Sequence, residues 1–303
     1  MRFFATITSI FLSLGTIGCQ SFGSAEYIPD ATPVPYQISL PSQRTLPANF
    51  PTRPCVKPVT PPRTPRCSAA CVMDALTGKI LYSHNGKRKL QVASTQKLVT
   101  ALIVAEQGNL NKKVTIQSSD TKADPTKLGF RAGEVYSRGS LLNALMVKSY
   151  NDVALALARD CAGSVPRFVR MMNTQARRMY MKNSRFANPN GLPADQYSTA
   201  EDMAKCGYFV YRNPILRSII CQKSSTFKKH NGKVITMNNT NKLLTRHSWV
   251  TGMKTGYTRA AGRCLVSSGG FNGRHVIVVV LGCHPSRIWN ESEKLLKWGL
   301  LGS

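Results

Sequence analysis

An α+β fold, with an antiparallel sheet assembled from both ends of the chain and packed against helices, is what three features of the sequence predict. Short β-type runs open the ordered part at Ala69-Ala70-Cys71-Val72-Met73 and Ile80-Leu81-Tyr82. Further β-type runs fill the chain after Pro214, and between the two groups lie several stretches with helical periodicity. Strands at both termini with helices in between imply one mixed domain rather than alternating βαβ units. At 303 residues there is ample length for a real core, and no internal repeat is present.

Residues 1–24 read as an export signal. Arg2 precedes an apolar stretch, Phe3 to Leu14, that is too short and too rich in Ser and Thr for a stable membrane span, and small residues follow. Ile17-Gly18-Cys19 resembles a bacterial lipoprotein processing site, although Thr16 stands where such sites usually carry leucine. Lipidation of Cys19 and simple cleavage both stay open. The expected location is outside the cytoplasm, in the periplasm or cell envelope. Residues 25–67 hold 11 of the chain's 17 prolines and read as an extended spacer. The remaining residues, 68–303, form the expected catalytic domain. The other eight cysteines, at 55, 67, 71, 161, 206, 221, 264 and 283, suggest disulfides in an exported protein, with the partners unassigned.

Within that domain the first two strands are joined by the turn Asp74 to Lys79. Ala93-Ser94-Thr95-Gln96-Lys97 then opens an apolar helix ending near Gly108. A polar, Gly-bearing stretch from Asn109 to Gly139 predicts loops and short strands. Two helical patterns between Ser140 and Cys161 are interrupted at Ser149-Tyr150-Asn151, and Val165 to Met181 reads as another helix. Asn188-Pro189-Asn190-Gly191-Leu192-Pro193 is rich in turn residues. Ser198 and Glu201 stand at capping-box spacing for the next helix. Strands are expected at Ser224–Lys229, Lys233–Met237, Trp249–Lys254, Arg263–Ser268 and Arg274–Gly282, and a final amphipathic helix carries Leu295, Leu296, Trp298 and Leu300.

Lys and Arg total 41 against 14 Asp and Glu, a net charge of +27. The cations are scattered through every segment, with no nucleic-acid motif and no basic helix, so the charge points to an anionic envelope rather than to nucleic acid. Anionic wall polymers or a membrane surface are the partners it suits.

Three short motifs carry the chemistry. Ser94-x-x-Lys97 puts a hydroxyl and an amine one helical turn apart at the mouth of a core. The same spacing at Ser119/Lys122 and Ser225/Lys228 falls in polar surroundings, so spacing alone is uninformative. Ser149-x-Asn151 interrupts a helical pattern, unlike Ser83/Asn85, and Lys254-Thr255-Gly256 ends an expected strand. A serine hydroxyl needs a base within hydrogen-bond reach to act as a nucleophile. Lys97 faces the same way, and burial beside Lys254 would lower its pKa enough to take the proton. Two lysines near one serine are costly in a core, which favours chemistry over packing. As an isolated motif, Ser94 reads equally well as a helix cap; the other two motifs tip the balance.

In that order the motifs resemble those of the penicillin-binding D-alanyl-D-alanine carboxypeptidases, low-molecular-weight serine peptidases of bacterial cell walls. The resemblance runs from about Cys67 to Gly299. It includes Leu141 to Ala154 leading through Ser149-Tyr150-Asn151, Asn183 to Pro193, and Gly252-Met253-Lys254-Thr255-Gly256-Tyr257-Thr258 with Ala261-Gly262. It implies a β-lactamase/transpeptidase-like fold and removal of the terminal D-alanine from peptidoglycan stem peptides through an acyl-enzyme, with β-lactam antibiotics as covalent inhibitors. By the same resemblance, Ser149 relays a proton, Asn151 holds Lys97 and the substrate amide, and the backbone amides of Ser94 and Tyr257 bind the oxyanion. Lys254, Thr255 and Gly256 border the substrate's carboxylate, with Arg287 as a further candidate. No metal or cofactor is implied. A β-lactamase of the same fold would need an acid for its deacylating water, and in the corresponding region between the second and third motifs only Asp195, Glu201 and Asp202 are available, in no matching pattern. An endopeptidase of the same fold and a non-catalytic wall-binding or penicillin-binding protein also stay open.

Overall fold

The computed structural model describes residues 51–57, 60 and 62–301. The export signal, Cys19, the spacer up to residue 50 and residues 302–303 lie outside the described residues. Strands β1 (Ala69–Asp74) and β2 (Ile80–His84) come first. The helix α1 (Lys97–Glu106) follows, then the pair β3 (Lys113–Thr115) and β4 (Val135–Ser137), then the helices α2 (Arg138–Lys148), α3 (Asn151–Ala162), α4 (Val165–Arg178), α5 (Ala200–Arg212) and α6 (Pro214–Ile220). The hairpin β5 (Ser224–Lys228) and β6 (Val234–Asn238) and the short α7 (Leu243–Arg246) lead to β7 (Val250–Thr258), β8 (Gly262–Phe271), β9 (Arg274–Cys283) and α8 (Ile288–Leu301).

The main sheet is five-stranded and antiparallel, in the order β2-β1-β9-β8-β7. Both chain ends therefore build it, and β7 is an edge strand. It is buried on both faces, which explains why β9 reads as an unbroken apolar run. Cys71 and Met73 of β1, with Ile277, Val279 and Leu281 of β9, face the larger core shared with α1 to α6. Alternate residues Ala70, Val72, Val276, Val278 and Val280 face a second core closed by Leu295, Leu296, Trp298 and Leu300 of α8. The two-residue pleat period sorts neighbours into opposite layers. α1 is buried all round, with nine of its ten residues enclosed, so it is a central core helix rather than a surface one.

Several expectations change. Residues 51–67 do not run free of the domain where they are described. Thr52 and Arg53 N–H donate to Gly273 O, Cys55 N–H donates to Asp74, and Trp298 Nε1 donates to Thr60 O at 2.8 Å. Pro-rich chain has few backbone donors of its own, yet its carbonyls and apolar rings can still pack on a preformed surface. The cap of α5 is Thr199 rather than Ser198: its Oγ1 accepts from Asp202 N–H at 3.1 Å. Ser198 is used instead as a β-bridge partner of Leu90, and Glu201 accepts from Ser83 Oγ at 2.8 Å. A helix, α6, follows Pro214, where the sequence predicts a switch to strands. Asn213 caps it and Pro214 sits in its first turn, the residue pair that suits a helix start. All eight described cysteines are free thiols. Cys71 and Cys206 are enclosed among apolar core side chains, where burial pushes the thiols up and leaves them as small hydrophobes.

Candidate active site

Ser94 lies in a 3-10 turn, Ala93–Gln96, that passes straight into α1 at Lys97. Ala93 takes a left-handed φ of +49°, which costs a non-glycine residue energy and swings Ser94 outward. The turn is braced from the Asn188 to Gly191 loop. Gln96 Nε2 donates to Asn188 O at 2.6 Å, and Thr100 Oγ1 donates to Pro189 O at 2.7 Å. Gly191, at φ +84°, brings its backbone so close that a Cβ there would sit 2.2 Å from Ala93 O. Only glycine fits.

Around Ser94 the three motifs converge. Lys97 Nζ donates to Ser94 Oγ at 2.9 Å, to Asn151 Oδ1 at 2.7 Å and to Asn190 O at 2.6 Å. Asn151 is fixed in turn, its Nδ2 donating to Asp124 O at 3.1 Å and Pro125 O at 2.9 Å. Ser149 ends α2 in the left-handed conformation, φ +69°, and that reversal separates α2 from α3 and places Ser149 on the groove wall. The decoy pairs go elsewhere: Ser119 precedes and Lys122 ends a 3-10 turn, and Ser225 and Lys228 sit on β5.

Lys254, Thr255 and Gly256 lie inside β7, which continues to Thr258 instead of ending at Lys254. Thr255 Oγ1 donates to Thr240 Oγ1 at 2.7 Å, and Lys254 Nζ donates to Thr255 O at 3.0 Å. A Cβ on Gly256 would come within 2.8 Å of Ser94 N and 3.0 Å of Thr95 N. The bare glycine thus lets the edge strand approach the Ser94 turn, next to Tyr257.

Electrostatics follow from burial. Lys97 and Lys254 are both completely enclosed. Desolvation holds the Lys97 amine well below its ordinary value, and Lys254 pushes it the same way against the pull of Asp152. Burial brings Lys254 down to about 7. An amine disposed to be neutral, 2.9 Å from a serine hydroxyl, can accept its proton.

The groove above these residues has a volume of about 590 Å³. Ser94, Ser149, Asn151, Thr255, Gly256 and Tyr257 all line it. Lys97 and Lys254 lie beneath this lining and bond to it, Lys97 to Ser94 and Asn151, Lys254 to Thr255. Arg287 stands apart: it is exposed just before α8 and is not among the lining residues, which on that side are Pro285, Ile288 and Trp289. The arginine that does line the groove is Arg263 of β8, paired with Tyr257 in the strand register, its guanidinium 4.6 Å from the Tyr257 ring centroid. Thr240, which bonds Thr255, is a second residue that motif reasoning missed. Both face the Lys-Thr-Gly strand across pairings that only tertiary structure reveals. Asp195 is exposed and paired with Arg185, Asp202 is buried against Lys205, and Glu201 meets Ser83, so none of the three reaches the groove.

Residues 56–284 match the model of the D-alanyl-D-alanine carboxypeptidase family. D-alanyl-D-alanine carboxypeptidase DacC of Escherichia coli is 36% identical over 243 residues, covering 75% of this chain and 60% of the relative. A D-alanyl-D-alanine endopeptidase of Pseudomonas aeruginosa is 34% identical, covering 76% of each chain. Among solved structures, a D-alanyl-D-alanine carboxypeptidase of Mycobacterium tuberculosis superposes with a TM-score of 0.76 at 28% identity, over 80% of this chain and 95% of that one. The chain spans 60% of the length of DacC and 57% of a Bacillus subtilis carboxypeptidase, DacF.

Proposed function

This chain belongs to the D-alanyl-D-alanine carboxypeptidase family, and from that premise we propose that it is a serine-type D-Ala-D-Ala carboxypeptidase acting on peptidoglycan stem peptides. The observation that carries the reading is the buried Lys97 amine, depressed in pKa and 2.9 Å from Ser94 Oγ, with Asn151 holding it in place.

In the proposed cycle Ser94 Oγ attacks the carbonyl carbon of the penultimate D-alanine while Lys97 takes the hydroxyl proton. The oxyanion that forms lies toward the N–H groups of Ser94 and Tyr257, on the two segments that the bare Gly256 lets approach each other. The C–N bond then breaks. Ser149 passes a proton to the departing amine, D-alanine leaves, and water hydrolyses the ester to restore Ser94. The terminal carboxylate is received by Thr255 and Lys254, with Thr240 supporting Thr255. This explains action at a chain end. β7, as an edge strand, offers unpaired backbone groups to an extended peptide. The same machinery supports acylation by β-lactams.

The test is labelling with a fluorescent penicillin, a Ser94→Ala control, and D-alanine release from a diacyl-D-Ala-D-Ala peptide. Labelling and release that both vanish in Ser94→Ala are expected; labelling that survives that substitution sinks the mechanism. Similarity to the Pseudomonas aeruginosa endopeptidase over 76% of each chain supports a second reading, cleavage of cross-links. A cross-linked dimer opened faster than a pentapeptide is trimmed would favour it. The leader-like stretch at 1–24 and the Pro-rich stretch that follows it support an exported enzyme in the periplasm or cell envelope, with Cys19 as a candidate lipid attachment point.

A further inference from the structure

The catalytic reading accounts for the floor of the groove but not for the charge on its walls. Three cations line it beyond the motifs: Lys148, Lys242 and Arg263. Lys148 is half-buried at the last position of α2, directly before Ser149. Lys242 belongs to the same wall. Thr240 N–H bonds Val147 O at 3.2 Å, and Asn241 Nδ2 bonds Gly252 O at 3.0 Å, so the Asn238 to Lys242 segment is clamped between α2 and β7. Arg263 projects from β8, and its stacking on Tyr257 limits its freedom.

No carboxylate offsets them among the described lining residues. The acids next in sequence turn elsewhere. Asp152 is fully buried and accepts from the N–H groups of Leu128, Gly129 and Val153. Asp124 presents its backbone O to Asn151, and its exposed side chain is not part of the lining. A substrate's C-terminal carboxylate satisfies only Lys254 and Thr255 in the proposed cycle. The wall cations are left for charge carried elsewhere on the peptide, and a cationic side chain would meet like charge on entering.

We propose that the groove selects peptides bearing at least one carboxylate besides the C-terminal one, near the D-Ala-D-Ala pair, over peptides whose only side-chain charge there is an amine, with Lys148, Lys242 and Arg263 as the specificity-determining residues. This rests on the carboxypeptidase reading above. The general attraction from a net charge of +27 is long-ranged and screened, with a Debye length of about 3 Å in 1 M salt. Contact pairs in the groove are screened less.

The experiment uses three synthetic pentapeptides ending in D-Ala-D-Ala that differ only in the residue before that pair, which carries a carboxylate, an amide or an amine. D-alanine release is measured at low and high salt for the full chain, for a Lys242→Glu/Arg263→Glu double variant, and for a Lys87→Glu/Lys294→Glu control with both changes on exposed positions outside the groove. Stoichiometric penicillin labelling of each variant verifies an intact site. The expected result is a kcat/KM for the carboxylate peptide about tenfold or more above that for the amine peptide, the size of one favourable charge contact. The double variant should erase or invert that ratio, and the control should keep it at high salt. Equal kcat/KM for all three peptides, or a ratio that the control changes as much as the double variant does, overturns the charge preference while leaving the carboxypeptidase reading intact. Labelled enzyme that releases D-alanine from none of them overturns both.

Discussion

Replacing Gly256 by alanine should cripple acylation without unfolding the protein. The added Cβ would lie 2.8 Å from Ser94 N, 3.0 Å from Ala93 Cβ and 3.0 Å from Thr95 N. Two of these neighbours are backbone atoms, and all three belong to a turn braced by Gln96 and Thr100, so no flexible side chain can swing away. To restore ordinary contact near 3.4 Å the edge strand and the turn must separate by about 0.5 Å. That movement parts the N–H groups of Ser94 and Tyr257. Oxyanion donors act within a narrow range of about 2.7–3.1 Å, and losing one costs roughly 10²–10³ in kcat, or about 2.7–4 kcal/mol. The second-order rate of acylation by a fluorescent penicillin is the assay, with circular dichroism and a melting curve to verify the fold. A folded Gly256→Ala enzyme that acylates within about threefold of the parent would refute the assignment of this strand contact to oxyanion binding.

The remaining predictions concern the buried amines and a cap. Lys254, brought down to about 7 by burial, is protonated below that pH and neutral above it, so KM for a peptide with a free C-terminal carboxylate should rise as pH climbs through about 7. A Lys254→Arg enzyme should hold its KM to higher pH, and a parent KM that stays flat from about pH 6 to about pH 9 would contradict the role given to the charge. Because its pKa in the folded protein lies below that of a solvated lysine, protonation of Lys254 opposes folding. The associated loss of stability grows as pH falls from about 10 towards 7 and is complete below it. Lys254→Met should therefore raise Tm by a few degrees at about pH 6, have little effect on it near pH 10, and abolish peptide trimming, as expected where function maintains a buried charge. Thr199→Ala should cost about 1 kcal/mol through the lost cap of α5, roughly 2–4 °C in Tm, whereas Ser198→Ala should not remove that cap. Equal losses for the two would argue against the cap assignment.

Much of the fold is legible in the sequence because its periodicities are strong. The unbroken apolar runs of β9 and α1 can be read without any partner in view, since each reports how much of an element is enclosed. Boundaries are less legible where several residues compete for one job. Ser198 and Thr199 are adjacent hydroxyls, and either could cap α5. The choice falls to Thr199 because Ser198 is engaged in the bridge to Leu90. Pro214 reads as a break along the chain, whereas in the fold the Asn213-Pro214 pair starts α6.

The site divides in the same way. Ser94, Lys97, Ser149, Asn151, Lys254 and Thr255 stand out in the sequence through the order and context of three short motifs and through the family those motifs resemble. Distances along the chain say nothing about which distant wall a strand will face. Arg263 beside Tyr257, Thr240 beside Thr255, and Gly191 against Ala93 are contacts between segments far apart or across a sheet register, and the fold alone creates them. So does the depressed basicity of Lys97, which depends on its complete enclosure and on Lys254 arriving from 157 positions later. The residue types and their order were determined by the sequence itself. Which arginine enters the groove, how close the edge strand comes to Ser94, and how dry the two amines become were decided by tertiary packing, because burial and approach belong to surfaces that exist only once the chain has closed.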